Sequence, residues 1–240
     1  MKLLIIRHGD PDYVHDSLTS SGRTEAALLA GYLKDVPIDY AYVSPLGRAQ
    51  ETARPTLVAK DLTATTLDWL REFAPRVRQS AAKLAPTCAW DWLPSEWTER
   101  DLFYTDHWYD DPAMVAAGVK REYEWVCAGF DELLAQHGYE RTGRYYHVTR
   151  ANHDTIALFC HYGLGCLLLS HLLSVSPMVL WHGLCAAPSS ITTVCTEERR
   201  RGVASFRVLE YGATPHLALG HVVPSFAARF CECFGDLDRH

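Results

Sequence analysis

The sequence has no long hydrophobic run and no excess of positive charge. Its apolar runs are short, such as residues 3–6 and 166–169, whereas a membrane-spanning helix needs about 20 apolar residues. The net charge is −6, which disfavours a nucleic-acid-binding protein because such proteins present a basic face to phosphates. The apolar stretch at the amino terminus is too short for a secretory signal. We therefore expect a cytoplasmic protein that binds neither membranes nor nucleic acids.

Closely spaced metal-binding cysteines are also lacking. Of the eight cysteines, only Cys231 and Cys233 lie close together in the sequence, and a single intervening residue is not a usual zinc spacing. Scattered cysteines in a chain of this size without a secretory signal are mostly buried thiols rather than disulfides. The sequence therefore predicts neither a structural metal nor a disulfide framework.

Strand-like and helical segments alternate along the chain. The 240 residues, 48% of them hydrophobic, are sufficient for one large globular domain. Alternation of this kind predicts an α/β fold with three α/β/α layers around a mostly parallel central sheet. The predicted strands comprise residues 2–6, 40–43, 63–67 and 155–160, followed by a closing pair at 191–195 and 203–209.

The segment from residue 75 to residue 154 differs in composition from the rest of the chain. It contains five of the seven tryptophans, namely Trp90, Trp92, Trp97, Trp108 and Trp125. We predict that it forms a mostly helical, tryptophan-rich cap inserted into the single domain 1–240. The tryptophans are expected to form the small core of this cap, although a lid that stacks on a substrate is an alternative.

Side chains suited to phosphate chemistry follow four of the predicted strands. Arg7 and His8 follow the first strand, Arg48 the second, Glu72 the third and His161 the fourth. The carboxyl ends of parallel strands share one edge of a sheet, where ligands bind in open α/β folds. A neutral histidine can act as a nucleophile, and guanidinium groups hold phosphate oxygens through paired hydrogen bonds. The pattern therefore predicts a phosphate site at this edge.

The chain resembles the histidine phosphatase superfamily, in its phosphoglycerate-mutase-like branch (branch 1). The resemblance rests on Arg7-His8-Gly9, on the Ser-Pro-Leu-Gly-Arg-Ala run of residues 44–49 with Thr52-Ala53, on Glu72, and on His161-Tyr162-Gly163. Residues 187–192 and 215–217 resemble later motifs of the same family. Three residues alone are a weak signal, but together the motifs are highly specific.

The resemblance implies a metal-independent phosphatase that uses no cofactor. His8 would attack phosphorus and become a phosphohistidine, while Arg7, Arg48 and His161 would hold the oxygens of the transferred group. Tyr162, which adjoins His161 in the sequence, is a further candidate for binding the phosphate. Glu72 would protonate the leaving group and later accept a proton from water, which requires a raised pKa. Asp10, Asp12 and Asp16 follow the nucleophile closely and are alternatives for the acid.

The substrate implied is a small phosphomonoester, and two other functions stay open. Phosphoglycerate mutases have an asparagine six residues after the nucleophilic histidine, where this chain has Val14, and an Arg-His-Tyr-Gly segment after the acid, where it has residues 73–76. Mutases also need extra basic residues over the pocket, whereas this cap is acidic and aromatic, so hydrolysis is favoured over mutase chemistry. A catalytically silent module that binds a partner through the aromatic cap, including a second copy as a homodimer, is the other alternative.

Overall fold

A computed structural model describes residues 1–79 and 85–225, together with residues 233 and 235. Besides 3-10 turns at Asp68–Leu70, Asp101–Tyr104 and Trp108–Asp110, it contains twelve strands and eight helices in these residues. The strands are β1 (Lys2–Arg7), β2 (Pro11–Asp12), β3 (Ser17–Leu18), β4 (Tyr40–Val43), β5 (Ala64–Thr66), β6 (Arg76–Val77), β7 (Thr87–Cys88), β8 (Tyr139–Thr142), β9 (Tyr145–Val148), β10 (Thr155–Cys160), β11 (Ile191–Arg200) and β12 (Val203–Ala213). The helices are α1 (Ser20–Leu33), α2 (Gly47–Lys60), α3 (Pro94–Trp97), α4 (Pro112–Ala116), α5 (Val119–Gln136), α6 (Tyr162–Leu173), α7 (Pro177–Gly183) and α8 (Pro215–Leu219).

The central sheet has eight strands in the order β5-β4-β10-β1-β11-β12-β9-β8. The four strands from β5 to β1 pair in parallel, whereas every pairing from β1 through β11 to β8 is antiparallel. The sheet is therefore mixed, and the expected parallel arrangement holds for one half of it. The other half contains two hairpins with two-residue turns, which can join only antiparallel neighbours. Gly143 and Gly202 supply the positive φ angles in those turns.

Helices cover both faces of the sheet, so the three-layer architecture is confirmed. Alternate residues of β1 enter different cores: Leu4 and Ile6 join a cluster with residues of α1 and α2, whereas Leu3 and Ile5 join the larger cluster that includes α5, α6 and α7. A strand that is buried on both faces needs apolar side chains at every position. This explains why residues 3–6 are all apolar. No helix in the described part of the chain is long and apolar enough to cross a bilayer.

The tryptophans of the predicted cap pack mainly against other aromatic rings. Trp92 meets Phe103 edge-on at 5.0 Å, and Trp108 meets Trp181 of α7 at 5.4 Å. Both indoles are buried, so they form a small aromatic core that docks on α7. The segment also contributes the hairpin β8–β9, which joins the central sheet through β12.

Candidate active site

The parallel pairing of β1 with β10 places two histidines side by side. Arg7, the last residue of β1, pairs with Cys160, the last residue of β10, so His8 and His161 leave the sheet together. Their ring centroids are 5.1 Å apart, and both side chains are almost completely buried. The strand register alone thus brings the predicted nucleophile and a predicted phosphate ligand into contact.

His8 is held in a form suited to nucleophilic attack. Its Nδ1 lies 2.7 Å from the carbonyl oxygen of Gly9, and because a carbonyl only accepts hydrogen bonds, Nδ1 carries the proton. The other ring nitrogen, Nε2, therefore keeps its lone pair. Burial, reinforced by the charge of Arg7, lowers the pKa of His8 well below its usual value. The ring is consequently neutral at physiological pH.

Arg7 and Tyr162 support each other behind the nucleophile. Arg7 Nη1 donates a 2.6 Å hydrogen bond to the carbonyl of Ala186, and its guanidinium carbon lies 5.5 Å from the centroid of the Tyr162 ring. The Tyr162 hydroxyl lies 2.6 Å from the carbonyl of Trp181 and 2.8 Å from that of Leu184. The hydroxyl is thus turned toward backbone carbonyls, and the ring packs against Arg7; a role of Tyr162 in phosphate binding stays a prediction.

Arg48 lies in the first turn of α2 and is fixed by an aspartate. Its Nη1 lies 2.5 Å from Asp16 Oδ1, while Asp16 Oδ2 accepts a 2.7 Å hydrogen bond from the Gly47 backbone. A Cβ on Gly47 would lie 2.2 Å from the Asp16 carbonyl oxygen, so only glycine fits there. Arg48 Nε is buried and has no hydrogen-bond partner among the described residues. One edge of the guanidinium is thereby held, which leaves the rest to bind an anion.

Glu72 caps the amino-terminal end of α6, directly beside His161. Its Oε1 accepts hydrogen bonds from the backbone N–H groups of Phe73 and Leu164, each at 2.9 Å, and its Oε2 accepts one from Gly163 at 3.3 Å. Burial raises the pKa of Glu72, although these N–H groups and the charge of Arg7 oppose the rise. A raised pKa is what the predicted role of Glu72 as proton donor and acceptor requires.

The three aspartates considered as alternative acids are occupied elsewhere. Asp10 Oδ2 accepts a 2.6 Å hydrogen bond from the Thr19 hydroxyl, and Asp12 lies 2.7 Å from the His15 ring. This hydrogen bond to His15 lowers the pKa of Asp12, which opposes a role as a proton donor. Asp16 binds Arg48, as described above. The structure thus favours Glu72 over these aspartates.

Two hydroxyl groups at the site have contacts that the sequence did not indicate. Ser44, the residue after β4, lies 2.7 Å from His161 Nε2 through its Oγ. The Thr52 hydroxyl donates to the Arg48 carbonyl at 2.7 Å and accepts from the Gly9 N–H at 2.9 Å. Both residues lie within the motif of residues 44–53, and the position of Ser44 at a strand end was the available signal.

A buried histidine of the carboxyl-terminal region supports the loop after the nucleophile. His216 of α8 lies 2.9 Å from the Ser189 hydroxyl through Nε2, and the Ser189 N–H donates to the His8 carbonyl at 2.9 Å. Burial lowers the pKa of His216 to about 4. The sequence marked His216 only through its family motif, because nothing in its neighbourhood predicts this contact.

A cleft of about 400 Å³ opens beside Glu72. Its walls are the loop that carries Glu72, the residue Gly118 just before α5, and Arg121 and Glu122 in the first turn of α5. Arg71 forms a 2.8 Å ion pair with Glu122 and lies 4.6 Å from the Trp125 ring. The Arg121 side chain has no hydrogen bond or ion pair within the described ranges. Arg121 and Glu72 therefore line the same cleft.

A metal site is not evident in residues 1–79 and 85–225. These residues contain no cluster of three or more His, Cys, Asp or Glu side chains that could hold an ion. The positive charges at the candidate site come instead from Arg7 and Arg48.

Comparisons with known proteins identify the family and the fold of the chain. A family model described as Histidine phosphatase superfamily (branch 1) matches residues 3–208. A phosphoserine phosphatase variant from Entamoeba histolytica, solved with phosphoserine, aligns with a TM-score of 0.57 and 19% identity over 90% of this chain and 98% of its own. A mycobacterial glucosyl-3-phosphoglycerate phosphatase aligns with a TM-score of 0.56 and 18% identity over 88% of this chain and 98% of its own. The α-ribazole phosphatase of Shigella flexneri aligns with a TM-score of 0.53 and 21% identity over 89% of this chain and 98% of its own.

No curated protein matches the sequence. The structural neighbours, at these low identities, show a shared fold. The family match covers most of the chain and includes Arg7, His8, Arg48, Glu72 and His161. On this match, the chain belongs to branch 1 of the histidine phosphatase superfamily.

Proposed function

We propose that this protein is a metal-independent phosphatase that hydrolyses a small phosphomonoester through a phosphohistidine at His8. The observation that carries the proposal is the 2.7 Å contact between His8 Nδ1 and the Gly9 carbonyl. It leaves the Nε2 lone pair of a neutral ring available at a site that also contains two arginines. Those arginines supply the positive charge that stabilises the equatorial oxygens during transfer.

In the first step, the Nε2 lone pair of His8 forms a bond to phosphorus while the bond to the leaving oxygen breaks. The leaving oxygen receives that electron pair and takes a proton from Glu72. In the second step, a water oxygen attacks phosphorus and gives its proton to the Glu72 carboxylate. The phosphorus–nitrogen bond breaks, its electron pair returns to Nε2, and inorganic phosphate leaves.

The leaving group would occupy the cleft beside Glu72, because the acid must reach the leaving oxygen. The structural neighbours include phosphatases named for phosphoserine, glucosyl-3-phosphoglycerate and α-ribazole. Their leaving groups differ in size and charge, so the names support a phosphomonoester without ranking one. Hydrolysis is favoured over mutase chemistry because a mutase needs several basic residues over the pocket, whereas among the described residues that line this cleft Arg121 is the single arginine without an ion pair.

The test is hydrolysis of p-nitrophenyl phosphate with excess chelator by the wild type and by His8→Ala. We expect activity to survive chelation and to disappear in the variant, together with the acid-labile phosphoenzyme trapped by rapid quenching. His153→Ala is the matched control, since His153 is an exposed loop histidine and its loss should leave the rate unchanged. Turnover retained by His8→Ala would refute the mechanism. An inactive wild type that interconverts phosphoglycerates would identify a mutase, and one inactive in both assays would favour a binding module.

A further inference from the structure

The second histidine of the site has one ring nitrogen occupied and the other free. His161 is 1% exposed, and its Nε2 lies 2.7 Å from Ser44 Oγ. Its Nδ1 is buried and has no hydrogen-bond partner in the described part of the protein. Since the His161 ring lies against the His8 ring, a phosphoryl group on His8 is the natural partner of Nδ1. Whether Nδ1 can donate to an oxygen depends on which nitrogen carries the proton of the neutral ring.

The hydrogen bonds of Ser44 determine where that proton lies. The Ser44 side chain is completely buried, and its Oγ accepts a 3.2 Å hydrogen bond from the Leu46 N–H. A hydroxyl has one proton to donate, and His161 Nε2 is the acceptor within reach among the described residues. If Nε2 carried the ring proton instead, the hydroxyl proton would be buried without an acceptor, and unsatisfied buried groups are strongly disfavoured.

We propose that Ser44 is a positioning residue that donates its hydroxyl proton to His161 Nε2 and so keeps the ring proton on Nδ1. In this form His161 presents an N–H group to a phosphoryl oxygen, whereas the opposite tautomer would present a lone pair and repel it. The position of the proton is a property of the free protein. Only the statement that Nδ1 contacts a phosphoryl oxygen rests on the proposed function.

This assignment has a consequence for the charge of the pocket. Burial and the neighbouring His8 and arginines lower the pKa of His161 well below its usual value, in keeping with a neutral ring. His161 is then a neutral donor, and the fixed cations of the site are Arg7 and Arg48. Phosphate binding should therefore not weaken as the pH rises through 6.5, where an exposed histidine would lose its charge.

The first measurement is a long-range proton–nitrogen NMR spectrum of the ¹⁵N-histidine-labelled full chain at pH 7.5, with the His161 signals assigned by comparison with His161→Gln. We expect the pattern of an Nδ1-protonated ring in the wild type and in Ser44→Thr, which retains the hydroxyl. Ser44→Ala should lose this pattern. An Nε2-protonated ring in the wild type would overturn the proposal, whether or not the variants fold.

The second measurement is inhibition of p-nitrophenyl phosphate hydrolysis by inorganic phosphate. Loss of one oriented hydrogen bond should weaken phosphate inhibition of Ser44→Ala about tenfold, with recovery in Ser44→Thr. Ser170→Ala is the matched control. It also removes a buried serine hydroxyl, in the helix α6 that follows His161, but the Ser170 Oγ donates to the Leu167 carbonyl and not to His161. An unchanged tautomer and unchanged inhibition in Ser44→Ala would refute the positioning role. A wild type with an Nδ1-protonated ring but no phosphatase activity would contradict only the proposed function.

Discussion

Replacing Gly163 by alanine should displace the proposed acid without touching the nucleophile. A Cβ at Gly163 would lie 2.9 Å from Glu72 Oε1 and 2.5 Å from Trp90 Nε1, whereas ordinary van der Waals contact begins at 3.4 Å. The carboxyl group must therefore move by about half an ångström and the indole by nearly one. Trp90 cannot move freely because its Nε1 donates a 2.8 Å hydrogen bond to the Phe73 carbonyl. The carboxyl group would consequently be pushed off the end of α6.

Displacement of a catalytic group by about 1 Å can reduce the rate by about 10²-fold, so a shift of half that size should cost about tenfold. The loss should appear in kcat for alkyl phosphates, whose leaving oxygens need a proton, and should be small for p-nitrophenyl phosphate. The overpacking itself should lower the free energy of unfolding by about 1–3 kcal/mol. Steady-state kinetics with both substrates and urea unfolding measure the two effects separately.

Gly165→Ala is the matched control on the same helix. Its Cβ would meet only Ile5 Cγ2, at 3.5 Å, so the substitution should leave kcat unchanged for both substrates. An equal loss for alkyl and aryl substrates in Gly163→Ala would refute the assignment of Glu72 as the acid. Full activity of Gly163→Ala on alkyl phosphates would refute it as well.

The remaining predictions concern charged and titratable groups around the site. Arg48→Lys should reduce kcat/KM by about 10- to 100-fold, since an ammonium cannot bind Asp16 and a phosphoryl oxygen with the same fork geometry; unchanged kinetics would exclude Arg48 from the pocket. His216 has its pKa lowered from 6.5 to about 4, so its contribution to stability is present above about pH 6.5 and is lost as the pH falls toward 4. Urea unfolding should show a loss of at most about 2 kcal/mol between pH 7 and pH 5 from this group, and a His216→Gln protein in which the same loss persists would contradict the assignment. Arg121→Ala should raise KM about tenfold for substrates with an anionic leaving group and leave p-nitrophenyl phosphate unaffected; equal changes for both would place the leaving group elsewhere.

The part of the site that follows from strand order could be predicted from the sequence. Arg7 and His8 continue a strand, and His161 continues its parallel neighbour, so recognising two strands and one sheet edge was sufficient to place them together. Arg48 followed from the helix that begins just after β4. These predictions depend on backbone connectivity and not on the direction of any side chain.

Contacts that depend on side-chain direction could not be predicted in this way. Asp16, which binds Arg48, is a loop residue with a φ of +47°. The neighbouring sequence does not dictate this conformation. The Tyr162 hydroxyl points to backbone carbonyls that belong to α7 and the loop after it, a direction that its position beside His161 in the sequence does not reveal. The composition of residues 75–154 predicts a helical cap over the whole segment, but its last part, the hairpin β8–β9, extends the central sheet instead, and tryptophan content does not mark that boundary.

The central position of β1 has a consequence for how the chain folds during synthesis. Lys2 pairs with Thr155 and Ile6 with Ile191, so β1 has no partner in the central sheet until residues 155–160 have been synthesised. Pairings between residues so distant in sequence slow folding and prolong the exposure of apolar segments. We therefore expect the apolar residues 3–6 to need protection from aggregation while the chain is being synthesised. Arg7 and His8, which end and follow this strand, would reach their working positions only after β10 has been synthesised.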